Sequence, residues 1–522
     1  MATSMLTLLM ELNHVMKYQK RHFWIIIGTF ALVLLFTTAS LTAASQLATA
    51  RLASRPLVPT PTVPGSTAPS PLVSLANQII AGDWPSYAMG NGRSGFNSEE
   101  SMINPVTARH LLHFWTYHTG GGISAQPVEA NGLIYWGSWD GLEHATYLNG
   151  KQAWATNLGQ TTDDNCAPAS VGVASTATVA TIASNGTTTA TVFVGGGNGN
   201  FYALNAANGK VIWSTFLGNP PAHFIWGSPV VYHGSVYVGM ASFGDCPAVQ
   251  GQLFQMSMTT GAIQHVFNVV PDGCRGGGIW SSPTIDNTTG KLYVSTGSKD
   301  ACGTNESYTT SLVELRASDL SFVSSWHTPP SRQVNDSDFG SSPTLFTARI
   351  GGVSRALVGA SHKNGNYYAF LQDAVGDGPV WSVNVADPGD CPECGDGSIS
   401  TSAWDGSKLY VAGGSTTING DFCPGSLRAL DPATGAFVWE HCLPDGPVLA
   451  PVTGAPGLLA VGEGSSLVVM SAASGKTLFT YTDRSGASFQ GAPSISHGML
   501  YAGNADGNLY AFGTFEELMI LK

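Results

Sequence analysis

Eight cysteines and a scatter of carboxylates are the groups in this 522-residue chain best suited to chemistry. The cysteines stand at 166, 246, 274, 302, 391, 394, 423 and 442. In an exported chain such a set reads as disulfides before it reads as metal ligands. Cys391-Pro-Glu-Cys394 is short enough to close on itself or to exchange electrons. As half of a zinc site it lacks a second C-x-x-C or a spaced His pair. Cys246–Cys274 and Cys423–Cys442 are the expected bridges, since each joins loops of one repeat. Cys166 and Cys302 are left without an assigned partner. Asp163, Asp164, Asp272, Arg275, Asp336, Asp338 and Asp396 fall in the same class of loop. Two carboxylates flanking a glycosidic bond would suit hydrolysis, yet no spacing here marks such a pair.

These loops are set by a repeat. Its clearest copy is Val192-Phe-Val-Gly-Gly-Gly-Asn-Gly-Asn-Phe-Tyr-Ala-Leu-Asn-Ala-Ala-Asn-Gly-Lys-Val-Ile-Trp213. Small-residue turns such as Gly227-Ser-Pro229, Ser281-Ser-Pro283 and Ser341-Ser-Pro343 open the units. Second strands then end in Tyr237-Val-Gly239, Tyr293-Val-Ser295 or Tyr501-Ala-Gly503. A period of roughly 40–60 residues marks a solenoid or a propeller, and four short strands per unit select the propeller. Eight units predict an all-β, eight-bladed β-propeller of four-stranded blades. Small residues suit the innermost strands because eight of them converge on one axis. Trp154, Trp213, Trp326, Trp381 and Trp439, with His265 and Phe479 as smaller equivalents, fill the widening gaps between outer strands. The last unit stops at Gly513 without its aromatic strand, and residues 111–118 supply it from the other end, closing the ring. In this strand order all eight cysteines lie on one face.

Charged residues are 11% of the chain, against a usual figure of about 25%. The net charge of −12 argues against nucleic acid or an anionic membrane surface as partner. Lys17, Lys20, Arg21 and His22 precede the apolar run Phe23–Phe36, the pattern of an export signal. The expected organisation is a cytoplasmic N-terminus over 1–22 and a transmembrane signal-anchor or signal peptide over 23–43, cleavable around Ala43–Ala44. A Pro/Ser/Thr-rich linker follows over 44–81, then the propeller over 82–513 and a tail over 514–522 that fits no repeat. This places the propeller on the extracytoplasmic side of a membrane reached only through the N-terminal helix, or secreted if the signal is cleaved.

The unit ending, as in Asn205-Ala-Ala-Asn-Gly-Lys-Val-Ile-Trp213, resembles the pyrroloquinoline quinone (PQQ) repeat. That repeat builds the eight-bladed propellers of quinoprotein alcohol dehydrogenases and of outer-membrane assembly scaffolds that bind no cofactor. The resemblance covers about residues 82–513, and Gly82–Asn97 with Ile103–Leu111 is similar to the opening of the dehydrogenases. Gly276-Gly-Gly-Ile-Trp280 resembles the segment whose Trp stacks on the quinone. Ser361-His-Lys363-Asn-Gly resembles the segment whose Arg or Lys touches the quinone oxygens, and Asp338-Phe-Gly340 a Trp-Asp-aromatic run. The resemblance thus implies Trp280, Lys363 and Asp338 as PQQ-binding candidates. Each also has a structural reading: Trp280 as blade packing, Lys363 as an exposed rim lysine, Asp338 as a turn cap.

The same resemblance puts Ser298, after Thr296-Gly297, where the family has a calcium-binding Asn, and a hydroxyl is the poorer ligand. It puts Asn305, in Asn305-Glu-Ser-Tyr-Thr309, where the family has a catalytic Asp, and Asn takes no proton from an alcohol. Asp300 and Glu306 are the nearby carboxylates able to substitute. The adjacent Cys-Cys pair of many such dehydrogenases is absent, and Cys394 is followed by Gly395, so there is no haem-attachment motif. With these departures the chain is expected to be a ligand-binding or scaffold propeller for a small molecule, polysaccharide or cell-envelope protein. The alternative is a PQQ- and calcium-dependent dehydrogenase of an alcohol, a polymeric alcohol or a sugar. A funnel holding a Trp face, a cation and clustered carboxylates favours the dehydrogenase; one lined by Ser, Gly and Ala alone favours the scaffold.

Overall fold

The computed structural model describes residues 80–184, 186–300 and 308–520, so the export segment and nearly all of the linker lie outside the described residues. Seven blades follow the chain in order, over 128–157, 178–216, 230–268, 284–327, 344–384, 403–443 and 453–482, each built on four antiparallel strands, with His223–Phe224 added to the third and a hairpin over 416–423 inserted in the sixth. Blade 8 is composite. Ser494–Ser496, Met499–Gly503 and Asn508–Gly513 are completed by Leu112–His118, which sets Leu112 opposite Gly513 and Tyr117 opposite Leu509. The N-terminal strand therefore closes the ring. After Gly513 the tail, expected to fit no repeat, forms a short helix, Phe515–Ile520. Among the described residues no helix is long and apolar enough to cross a membrane.

Blades are held together by two repeated contacts. Near the axis, five successive inner segments each donate a backbone N–H to a hydroxyl of the next blade. The relay runs Gln126 to Thr176, Thr176 to Ser228, Ser228 to Ser282, Ser282 to Ser342 and Ser342 to Thr401, over 2.7 to 3.0 Å. The Ser-Pro turns are thus small for convergence and also polar for bonding. Near the rim, the outer Trp of one blade lies on the turn of the next. Trp154, Trp213, Trp381 and Trp439 donate Nε1–H to the carbonyls of Ala206, Met258, Pro432 and Ala472. The glycine of that turn is required: at Gly209, with φ +68°, a Cβ would come within 2.5 Å of the Trp154 ring.

The opening segment, residues 82–97, seals one end of the axis. It bonds in turn to every blade: Trp84 to Glu129, Pro85 to Val179, Asn91 to Val231 and Ile285, Gly92 to Leu345, Ser94 to Trp404, Gly95 to Gly454, and Asn97 to Ile495. The funnel opens at the opposite end, where the loops carrying Cys166, Cys246, Cys391 and Cys394 line it.

Candidate active site in the axial funnel

The axial part of the funnel, about 650 Å³, is lined by inner-strand Ser and Thr together with Trp139, Trp226 and Trp280. A side cleft of about 470 Å³ among blades 3, 4 and 5 shares Trp226 and Trp280 with it. Trp280 ends the Gly276–Gly278 run and lies against Gly340, where a Cβ would approach the ring to 3.1 Å. Its Nε1–H donates to Asp338 Oδ2 at 3.1 Å. Lys363 Nζ is 3.0 Å from the same oxygen, is also bonded to Asp336, and stands 5.6 Å from the centre of the Trp280 ring.

Lys363 follows the second strand of blade 5, Val353–Ser361, and its backbone N–H donates to the Asp338 carbonyl at 3.0 Å. Its side chain is only 9% exposed, so the rim-lysine reading is corrected: the loop carrying the two aspartates folds over it. Burial opposes its charge, but Asp338 and Asp336 outweigh burial and hold its pKa above the usual lysine range. Asp338 Oδ1 accepts the Ser298 backbone N–H at 2.5 Å, and Asp336 Oδ1 accepts the Ser298 hydroxyl at 2.7 Å. Burial and the charge of Asp338 raise the Asp336 pKa, against the opposing pull of Lys363.

Trp280, Lys363, Asp338 and Ser298 thus meet at one point. Asp300 lines the same cleft, but its carboxylate is held by Arg275 at 3.1 Å. Asn305 and Glu306 lie outside the described residues. Asp336 was read only as a loop acid, yet it completes the cluster.

The disulfides build the walls. Cys391–Cys394 and Cys423–Cys442 are formed. The expected Cys246–Cys274 bridge is not: Cys246 pairs with Cys166, and Cys274 is bonded elsewhere. The loop after blade 1 reaches over blade 2 to blade 3, a neighbourhood set by the ring and not by the repeat. This bridge sets Ala167 and Pro168 on the cleft beside Trp226 and Asp245. Cys302 lies outside the described residues. The closed Cys391–Cys394 turn brings Glu393 to both cavities.

A flat conjugated cofactor with peripheral oxygens fits this site, which offers an indole plane fixed by its own N–H and a buried ammonium beside it. A calcium ion does not fit the described residues. It needs six to eight oxygen ligands, and here both carboxylates are already bridged by Lys363. The only group of three His, Cys, Asp or Glu side chains within ligating range among the described residues lies elsewhere, at the ring closure.

Comparisons with known proteins bear on the family and the fold. The family model described as "Outer membrane protein assembly factor BamB", a PQQ-repeat family, matches residues 144–307 and 371–514. The quinohemoprotein alcohol dehydrogenase of Comamonas testosteroni is 24% identical over 56% of this chain and 45% of its own length. Polyvinylalcohol dehydrogenase of Pseudomonas sp is 25% identical over 57% of the chain and 55% of its own length. The chain thus spans about half the length of the curated relatives it matches. Among solved structures, the Comamonas enzyme superposes with a TM-score of 0.66 at 17% identity, covering 85% of this chain and 82% of that one. A europium-containing methanol dehydrogenase gives 0.64 at 17% identity, covering 85% and 99%. At these identities the solved structures speak for the fold alone. With the repeat matched over more than half its length and the eight blades in place, the chain belongs to the PQQ-repeat family of β-propellers.

Proposed function

We propose that the protein is a quinone-dependent dehydrogenase of alcohols, with PQQ as its cofactor. The observation that carries this reading is the cluster of Trp280, Lys363, Asp336 and Asp338 on the wall of a cleft open to the axis. A scaffold has no need of a buried ammonium held between two carboxylates, an arrangement costly to desolvate. The expectation of a binding or scaffold module rested on Ser298 and Asn305. Ser298 instead organises both aspartates, and Asp336 offers a carboxylate where Asn305 could not serve.

Trp280 would hold the cofactor plane, with Asp338 fixing the indole through Nε1. Lys363 would face its oxygens. Bound PQQ would supply the two-electron oxidation of the alcohol. Asp336 would take the hydroxyl proton as general base, its pKa raised by burial and by Asp338. Trp139 and Trp226 line the funnel on the way to this point. Their apolar faces suit the carbon backbone of an alcohol chain, and two of the relatives are polyvinylalcohol dehydrogenases. Calcium is assigned no part by the described residues.

Reconstitution with PQQ, with and without calcium, is the test. Quinone absorbance reports binding, and dye reduction with short and polymeric alcohols reports turnover. Lys363→Met is expected to weaken PQQ binding at least tenfold. Asp336→Asn is expected to keep PQQ bound and to slow dye reduction by about 10²–10⁴-fold, the usual worth of a general base. Wild-type protein that binds no PQQ under any of these conditions would sink the reading.

A further inference from the structure

Where the ring closes, on the end sealed by the opening segment, three side chains from separate pieces of chain converge. Asp83 comes from the opening segment, Glu129 from the inner strand of blade 1, and His497 from the first turn of blade 8. One donor atom of each lies within 4.8 Å of the others. Asp83 is 2% exposed and Glu129 1%. His497 Nε2 is 3.0 Å from Asp83 Oδ1, and Ser496 Oγ–H donates to Glu129 Oε2 at 2.5 Å. Among the described residues neither carboxylate has a Lys or Arg partner, so one half-exposed imidazole faces two buried acids. Glu100 and Glu517 add negative charge nearby.

A second observation points into the same place. The second-strand tyrosines Tyr135, Tyr237 and Tyr293 each donate their hydroxyl to a carbonyl of the next blade, and Tyr410 donates to Asp405 Oδ2 at 2.6 Å. Tyr501, their counterpart in blade 8, does not. Its hydroxyl is fully buried, makes no hydrogen bond of full geometry, and is turned toward the Glu129 carboxylate.

We propose that Asp83, Glu129 and His497 form a site for a divalent transition cation of the zinc class, with the Tyr501 hydroxyl against its open position. One imidazole nitrogen with two carboxylate oxygens suits zinc in its usual four-coordinate arrangement. Calcium prefers a set made of oxygen alone. The ion would tie the opening segment to both blades that meet at the seam. It would thus act on ring closure, at the end of the axis away from the funnel.

The full chain, stripped with dipicolinate, would be titrated with zinc alone and then with cobalt. Bound metal is counted by mass spectrometry, and cobalt coordination is read from its visible spectrum. The wild type is expected to bind one zinc more than His497→Asn or Glu129→Gln, and to gain several degrees of Tm that both variants lack. Asn tolerates the left-handed backbone at position 497, where φ is +47°, so that variant keeps the turn. Glu129→Gln keeps the shape of a buried side chain. Zinc binding and Tm shifts that are equal in all three proteins would overturn the site, and so would a wild type that binds no zinc.

Discussion

A buried acid outside the lining of the funnel shows how strongly single residues in this fold feel burial. Glu463 ends the second strand of blade 7, is 3% exposed, and has an Oε2 with no hydrogen-bond partner. Burial, followed by the charge of Asp445, raises its pKa to about 7. In the unfolded chain the same group titrates near its ordinary value of 4.5. The proton is therefore bound more tightly by the folded state. The contribution is fully present below about pH 4.5 and is lost as pH rises through about 7, a change of about 3 kcal/mol. Glu463→Gln mimics the protonated form and does not titrate. It should match the wild type near pH 4.5 and exceed it at pH 8 in denaturant unfolding. Comparing the two proteins at each pH cancels other titrations, such as those of buried His144 and His362, whose pKa values are held near 4 and 3. A stability difference that does not change with pH would show that Glu463 is already ionised in the fold.

At the scale of elements, the cysteine loops decide the shape of the site. The Cys166–Cys246 bridge closes 80 residues and holds Ala167 and Pro168 on the cleft. Replacing both cysteines by serine should cost about 2–4 kcal/mol of stability. If the proposed function holds, it should also raise KM for alcohols more than it lowers kcat, since the wall moves and the cluster at Lys363 does not. Equal Tm values for variant and wild type would mean the loop is held by other contacts. This bridge also marks where the sequence stops being legible. The blades, the Trp on their outer strands and the completing strand at 111–118 all follow from periodicity, because each is local to one repeat or to its neighbour. Cys423–Cys442 and Cys391–Cys394 are local in the same sense. Cys166 meets Cys246 across an intervening blade, and nothing in the repeat records how far a loop leans. Trp280, Lys363 and Asp338 were found through their likeness to family segments. Asp336 carries no such likeness, and an Asp in a loop more often caps a turn than faces a ligand.

For the molecule as a whole, the opening segment does what no single blade can, because it bonds to all eight. Its centre is Arg93, which is fully buried. The guanidinium donates to the carbonyls of Tyr87 at 2.8 Å, Pro229 at 3.2 Å and Pro283 at 2.8 Å, and so joins the segment to blades 3 and 4. Burial lowers its pKa to about 10, still far above neutral, so the charge persists and is satisfied by carbonyl dipoles. The relay of inner-strand hydroxyls runs around the same axis, so the plug and the ring support one another. Arg93→Met keeps most of the volume but leaves these buried carbonyls without a donor. Each unsatisfied group costs about 1–3 kcal/mol, so a loss of about 3–5 kcal/mol is expected. Because the segment touches every blade, that loss should appear as one cooperative shift of the whole unfolding transition, measured together by tryptophan fluorescence and circular dichroism. Two separated transitions, with blades 3 and 4 melting first, would instead show that the ring is held by blade-to-blade contacts and that the plug is only a local clamp.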